Sequence, residues 1–185
     1  MKTLANFIIT AATLTLLAAC TNTQKPAGAD PHAGHQHESA EEHTEEVKKA
    51  VVMLKDDQLN AVYQHYIHLS TALVNGDAAE AKIAASAIEL GAKGLVNGRT
   101  LSAIAGKIVN AANLEKQRVL YADLSNDFIT RVKSSGLKSG ELYVEYCPMA
   151  LNDKGAFWLS NQKAIRNPYF GESMLTCGEV KETIK

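Results

Sequence analysis

Apolar positions fall into a helical rhythm from Lys55 onward. Leu59, Val62, Tyr66, Leu69 and Leu73 recur at steps of three and four, the stripe of a helix with one face in a core. Asp56 or Asp57 can cap its start and Asn75-Gly76 can end it. Asp77-Ala-Ala-Glu80 then reads as an aspartate form of the capping box. The helix it opens is rich in alanine (Ala81, Ala84, Ala85, Ala87), which permits close helix–helix approach, and so short a turn predicts an antiparallel hairpin. Gly91, Gly94 and Gly98 weaken or end that second helix. A third helix is expected over about 100–110. A fourth is expected over about 113–134, with Leu114, Arg118, Tyr121, Leu124, Phe128 and Val132 along it and Ser135-Gly136 at its end. The period then changes. Glu141-Leu-Tyr-Val-Glu-Tyr146 alternates and is β-prone, predicting a short strand that runs into Cys147, with a second strand a candidate near 178–184. The expected fold is mainly α: a small four-helix bundle over 51–185, with a short C-terminal strand and an irregular segment bearing cysteine and methionine.

The first fifty residues follow other rules. Lys2 supplies a positive start, 7–17 is mostly apolar but too short for an ordinary transmembrane helix, and Leu17-Ala18-Ala19-Cys20 resembles the lipobox of bacterial lipoproteins. That resemblance implies a signal peptide over 1–19 and acylation of Cys20, a stable anchor once several acyl chains are buried. Residues 20–50 carry prolines, glycines and acids without apolar periodicity and read as a disordered tether, about 30 Å in root-mean-square reach. Within it, His32, His35, His37 and His43 form a tract that can take Cu(II) or Zn(II) without a preformed pocket. A merely solvated linker is the competing reading. The expected location is the cell envelope, on a membrane facing the periplasm, with the outer membrane favoured.

Composition narrows the field without choosing within it. The 185 residues are 46% apolar and 21% charged with a formal net charge of -1, which fits one globular domain plus accessory segments. No basic stripe points to nucleic acid. Catalytic motifs are missing: no Gly-rich phosphate loop, no Gly-x-Ser-x-Gly, no His-Glu-x-x-His and no Cys-x-x-Cys. Every histidine lies at or before His68, so no local Cys–His pairing marks the C-terminal stretch, and the chain is not expected to be an enzyme. His65 and His68, at i and i+3, read as two partly exposed histidines beside a core stripe rather than as ligands.

Sulfur is gathered at the two ends of the stretch from Tyr143 to Val180, Cys147 and Met149 at one and Met174 and Cys177 at the other. Pro148 biases Cys147 to an extended conformation, and an extended Cys147–Met149 would aim both sulfurs one way. Met174 and Cys177 would share a face on one helical turn. Two thiolates with one or two thioethers make a soft donor set that selects Cu(I) or Ag(I). The alternative is a Cys147–Cys177 disulfide, since export favours oxidation, with Met149 and Met174 as core residues. Chemistry leaves the two open, and oxidation would compete with metal loading. Phe157, Trp158 and Tyr169 are expected to pack the open end of the bundle.

The runs Tyr146-Cys-Pro-Met-Ala150, Lys154-Gly-Ala-Phe-Trp-Leu-Ser160, Ile165-Arg-Asn-Pro-Tyr-Phe-Gly171 and Met174-Leu-Thr-Cys-Gly178, with Arg118-Val-Leu-Tyr-Ala-Asp-Leu-Ser125, resemble a bacterial domain-of-unknown-function family. That family occurs as free-standing exported proteins and fused to the C-terminus of CusB-like periplasmic adaptor subunits of heavy-metal efflux systems. The resemblance, over about 54–184, implies a mostly helical domain and a link to copper or silver handling, with an efflux adaptor as partner. Cys147, Met149, Met174 and Cys177 are the motif positions it carries over. The chain lacks the adaptor's own hairpin and barrel regions. The expectation is a membrane-anchored periplasmic metal-binding lipoprotein. The alternative is a disulfide-closed interaction module that docks on an envelope adaptor without metal.

Overall fold

The computed structural model describes residues 51–185. The lipobox with Cys20 and the tract His32, His35, His37 and His43 lie outside the described residues.

Four helices follow the short strand β1 (Met53–Leu54): α1 (Asp57–Val74), α2 (Ala78–Ala92), α3 (Arg99–Val109) and α4 (Leu114–Ser135). Local chemistry sets their ends. The Asp56 carboxylate accepts from the Leu59 N–H at 2.9 Å, and that of Asp77 accepts from Ala79 and Glu80. Asn113 does the same for Lys116. Only half of the expected capping box forms at α2, because Glu80 does not reach back to Asp77. Its carboxylate lies 2.7 Å from Nε2 of His68 on α1, while the Asp77 N–H goes to the Ala72 carbonyl. Each helix packs on the next in sequence, α1 on α2, α2 on α3 and α3 on α4. Alanines 81, 84, 85 and 92 are fully buried in the α2 contacts, as their small size allows.

The C-terminal third contains more strand than the sequence pattern predicts. Strand β2 (Leu137–Ser139) pairs antiparallel with β1, tying the start of the domain to the end of α4. Strands β3 (Leu142–Cys147), β4 (Ala156–Ser160) and β5 (Glu179–Ile184) form an antiparallel sheet in the order β4-β3-β5. Strand β4 was expected as irregular chain. It forms because Trp158 and Leu159 both become buried when it lies between β3 and the helices.

The sheet joins the helices through one buried hydroxyl cluster. The Tyr121 hydroxyl donates to that of Tyr66 at 2.9 Å, Tyr66 pairs with Ser125 at 2.8 Å, and the Leu159 N–H donates to Tyr66 at 2.9 Å. Three elements, α1, α4 and β4, thus meet at one oxygen. Phe128 stacks on the Tyr66 ring with centroids 4.5 Å apart, and Tyr169 bridges Tyr121 and Trp158. Trp158 and Tyr169 are buried as expected, whereas Phe157 is partly exposed against Tyr146. Among the described residues no helix is long and apolar enough to cross a membrane.

Candidate metal centre at the sulfur pair

Cys147 ends β3, and Cys177 stands two residues ahead of β5. The antiparallel register, Tyr146 opposite Glu179, brings residues 30 apart in sequence to one end of the sheet. The two Sγ atoms lie 2.7 Å apart as free thiols. Cys147 is fully buried and Cys177 half-buried, so access to the pair is from the Cys177 side. The Cys177 thiol is pushed up to about 11, chiefly by its hydrogen bond to Cys147, then by burial and by the neighbouring sulfur's charge.

The turn that presents Cys177 is held from the inside. Asn167 is fully buried, and its amide donates to the Cys177 carbonyl at 2.7 Å while its carbonyl oxygen accepts from Tyr169 and Phe170. Its backbone N–H donates to the Leu175 carbonyl. Arg118 fixes the same loop to the bundle: Nε donates to the Pro168 carbonyl and a terminal nitrogen to the Leu73 carbonyl, both at 3.0 Å. Gly171 lets that guanidinium approach, since a Cβ there would stand 2.7 Å from it. At Gly178, φ is +141° and a Cβ would meet the Trp158 ring at 2.8 Å, so only glycine lets the strand follow Cys177 this closely.

The methionines are placed differently from one another. Met174 closes a 3-10 turn (Gly171–Met174), and the Cys177 N–H donates to its carbonyl, so the two side chains issue from one turn. Met149 does not continue the strand. Its backbone is helical, φ −83° and ψ −10°, because the chain turns at Pro148, and its side chain is 48% exposed. The strand alternation that would carry Met149 onto the side of Cys147 therefore stops at Cys147. Leu151, Asn152 and Asp153 follow in left-handed conformation. Leu151 packs partly on the core, whereas Asn152 is exposed. Asn152→Gly should therefore raise stability by about 0.5–1 kcal/mol in urea unfolding. An unchanged or lowered midpoint would count against strain at this turn.

His65 is exposed, and His68 is exposed and engaged with Glu80; neither reaches the sulfurs. Among the described residues no three His, Cys, Asp or Glu side chains come together around a point. A tetrahedral zinc site of those ligands is thus absent there, while a soft ion held by two thiolates with a thioether remains compatible with the donors present. One group escaped the sequence reading. Glu145, two residues before Cys147, is fully buried, and among the described residues neither carboxylate oxygen has a hydrogen-bond partner of good geometry. Burial pushes its carboxyl up to about 8, with the Trp158 indole N–H offsetting a little of that. Its place two residues before Cys147, hence on the same face of a β-prone run, is the signal that the sequence offered.

No curated protein and no solved structure matches the chain. The sulfur pair lies beyond the stretch for which a relationship is found. That stretch is the helical part, where residues 62–140 match the family described as protein of unknown function, DUF3347.

Proposed function

We propose that this chain is an exported lipoprotein, anchored through Cys20, that captures Cu(I) or Ag(I) on Cys147 and Cys177. Met174, on the turn that bears Cys177, supplies a thioether to the same ion, and Met149, turned out at Pro148 and 48% exposed, adds one only if its side chain swings back toward Cys147. The protein then buffers the ion or passes it to the adaptor of a heavy-metal efflux system, and the histidines at 32, 35, 37 and 43 take Cu(II) or Zn(II). The observation that carries this reading is the convergence of Cys147 and Cys177 at the end of one sheet, on a turn that also bears Met174. Metal–thiolate bonds are about 2.3 Å long, so sulfurs sharing an ion stand at most about 4.6 Å apart. Opening the pair to that separation takes a rotation of the half-exposed Cys177 side chain. Delivery to an adaptor rests on the family resemblance.

Capture must displace the thiol protons. Because the Cys177 thiol is pushed up to about 11, it keeps its proton below that pH until the ion displaces it, and this thiol alone makes affinity rise about tenfold per pH unit. The test is a Cu(I) titration of the full chain carrying Cys20→Ser, against a chromophoric chelator, with free thiols counted. One-to-one binding that consumes both thiols is expected, weakened at least about a hundredfold in Cys147→Ser/Cys177→Ser. Met174→Leu should weaken it by about tenfold or less. Unchanged affinity in the double variant would refute the site.

The contact of 2.7 Å also favours a second reading, in which the pair closes to a disulfide and the domain is a docking module without metal. No free thiols in protein prepared under air, combined with no Cu(I) uptake after reduction, would select it.

A further inference from the structure

The two sulfurs stand closer together than an ion lying between two thiolates asks. Their separation is 2.7 Å, against at most about 4.6 Å for a linear pair of metal–thiolate bonds. Opening them that far falls to the Cys177 side chain alone. Cys147 is fully buried at the end of β3, and the Cys177 main chain is held through its carbonyl by Asn167 and through its N–H by the Met174 carbonyl. The separation an ion needs depends on its bond angle. Two bonds of about 2.3 Å meeting at about 90° hold their sulfurs only about 3.3 Å apart. That angle belongs to a pyramidal, three-coordinate centre with a lone pair, the geometry of trivalent arsenic. Thiolates are the soft donors such a centre prefers.

The number of donors points the same way. Among the described residues no third His, Cys, Asp or Glu side chain joins the two cysteines around a point. A tetrahedral ion therefore lacks ligands there, and Cu(I) draws on the thioether of Met174. Trivalent arsenic needs neither, because it keeps one substituent of its own, a hydroxyl or an organic group. Cys147 is closed off and Cys177 is half-buried, so that substituent has its way out on the Cys177 side.

We propose that the reduced pair Cys147–Cys177 captures trivalent arsenicals, arsenite and its mono-organic derivatives, as a two-thiolate chelate. Each Sγ–H bond is replaced by an Sγ–As bond, and each proton leaves with one arsenic hydroxyl as water. Arsenic stays trivalent and no electron moves. This inference rests on the same pair of thiols as the copper reading, but on neither its ion nor its thioether.

The test is intact-mass spectrometry with free-thiol counting on the reduced full chain carrying Cys20→Ser. Arsenite and phenylarsine oxide are the probes, with dithiothreitol as a competing dithiol. A one-to-one adduct that consumes both thiols is expected, held about tenfold or more over dithiothreitol because the protein's thiols are already brought together. Arsenic X-ray absorption of the arsenite adduct should show two sulfurs and one oxygen. Cys177→Ser, at the half-exposed position, should weaken capture about a hundredfold or more, since the second bond becomes impossible. Met174→Leu should leave it unchanged. Tighter holding of phenylarsine oxide would identify an organic derivative as the guest, and equal holding arsenite itself. Affinity no better than that of dithiothreitol, indifference to Cys177→Ser, or loss in Met174→Leu would each overturn the proposal. A Cu(I) titration of the same sample separates the two readings. Cu(I) uptake without arsenical capture would overturn this inference alone, and arsenical capture without Cu(I) uptake would overturn the copper reading alone.

Discussion

Urea unfolding of this protein should become easier as pH rises from about 5 to about 9, and Glu145→Gln should remove most of that trend. Glu145 sits in the middle of the central strand with no access to water and no well-aligned partner for either oxygen among the described residues. Ionising it there exposes a charge to a low-dielectric interior with only the Trp158 indole N–H to offset a little of the cost. Its carboxyl is accordingly raised from 4.5 to about 8. In the interval between those values the folded protein holds a proton that the unfolded chain has given up. Stability is therefore fully present below about 4.5, declines through the interval, and the whole loss is in place above about 8. A shift of this size corresponds to roughly 3–5 kcal/mol over the window. The readout is the difference in unfolding free energy between the parent and Glu145→Gln at each pH, which cancels the other titrating groups. A difference that stays flat from pH 5 to 9 would show that Glu145 is solvated or paired in solution.

Arg118→Ala should destabilise the domain by about 3–4 kcal/mol and loosen the Cys177 turn together with it. The guanidinium is buried to 9% exposure and meets two main-chain carbonyls, Leu73 at the end of α1 and Pro168 in the loop before the 3-10 turn. Removing it leaves both carbonyls without their donor and opens a space beneath Gly171. The ion pair with Glu115 adds little, because that carboxylate is largely in water. Glu115→Gln should therefore change stability by less than about 0.5 kcal/mol, which separates the charge pair from the carbonyl contacts. Faster hydrogen exchange at Tyr169, Phe170 and Cys177 in Arg118→Ala would report the loosened loop. Exchange that is unchanged there would mean that Asn167 holds the turn alone.

Much of the helical part could be read in advance because its rules are local. Asp56, Asp77 and Asn113 mark the helix starts through their own side chains, and Gly136 ends α4 at φ +74°. The stripe from Leu59 to Leu73 is buried throughout. Strand β4 was not legible, since nothing within Ala156–Ser160 announces the partner that turns it into a strand. Glu145 went unread for a related reason. Nothing in Leu142–Cys147 itself tells that β3 is the central strand, covered on both faces where Glu145 and Cys147 sit. Arg118 stood openly on the α4 stripe, a cation at a core position. Its partners are carbonyls far along the chain, 45 and 50 residues away, which no pattern reveals. The meeting of Cys147 with Cys177 depends likewise on the pairing of β3 with β5, a long-range register.

Among the described residues, the order β4-β3-β5 leaves the last strand with one side unpaired. An open strand edge is a template on which another chain can crystallise, and long runs of such templating produce fibres. Strand β5 is ill suited to that role. Glu179 pairs with Lys181 at 2.6 Å and Glu182 with Lys133 of α4 at 2.5 Å, so the exposed positions of the strand carry both signs of charge. A second copy docking in register would set these charges against their own kind. The charges on this edge thus disfavour its extension by an in-register copy of the same strand.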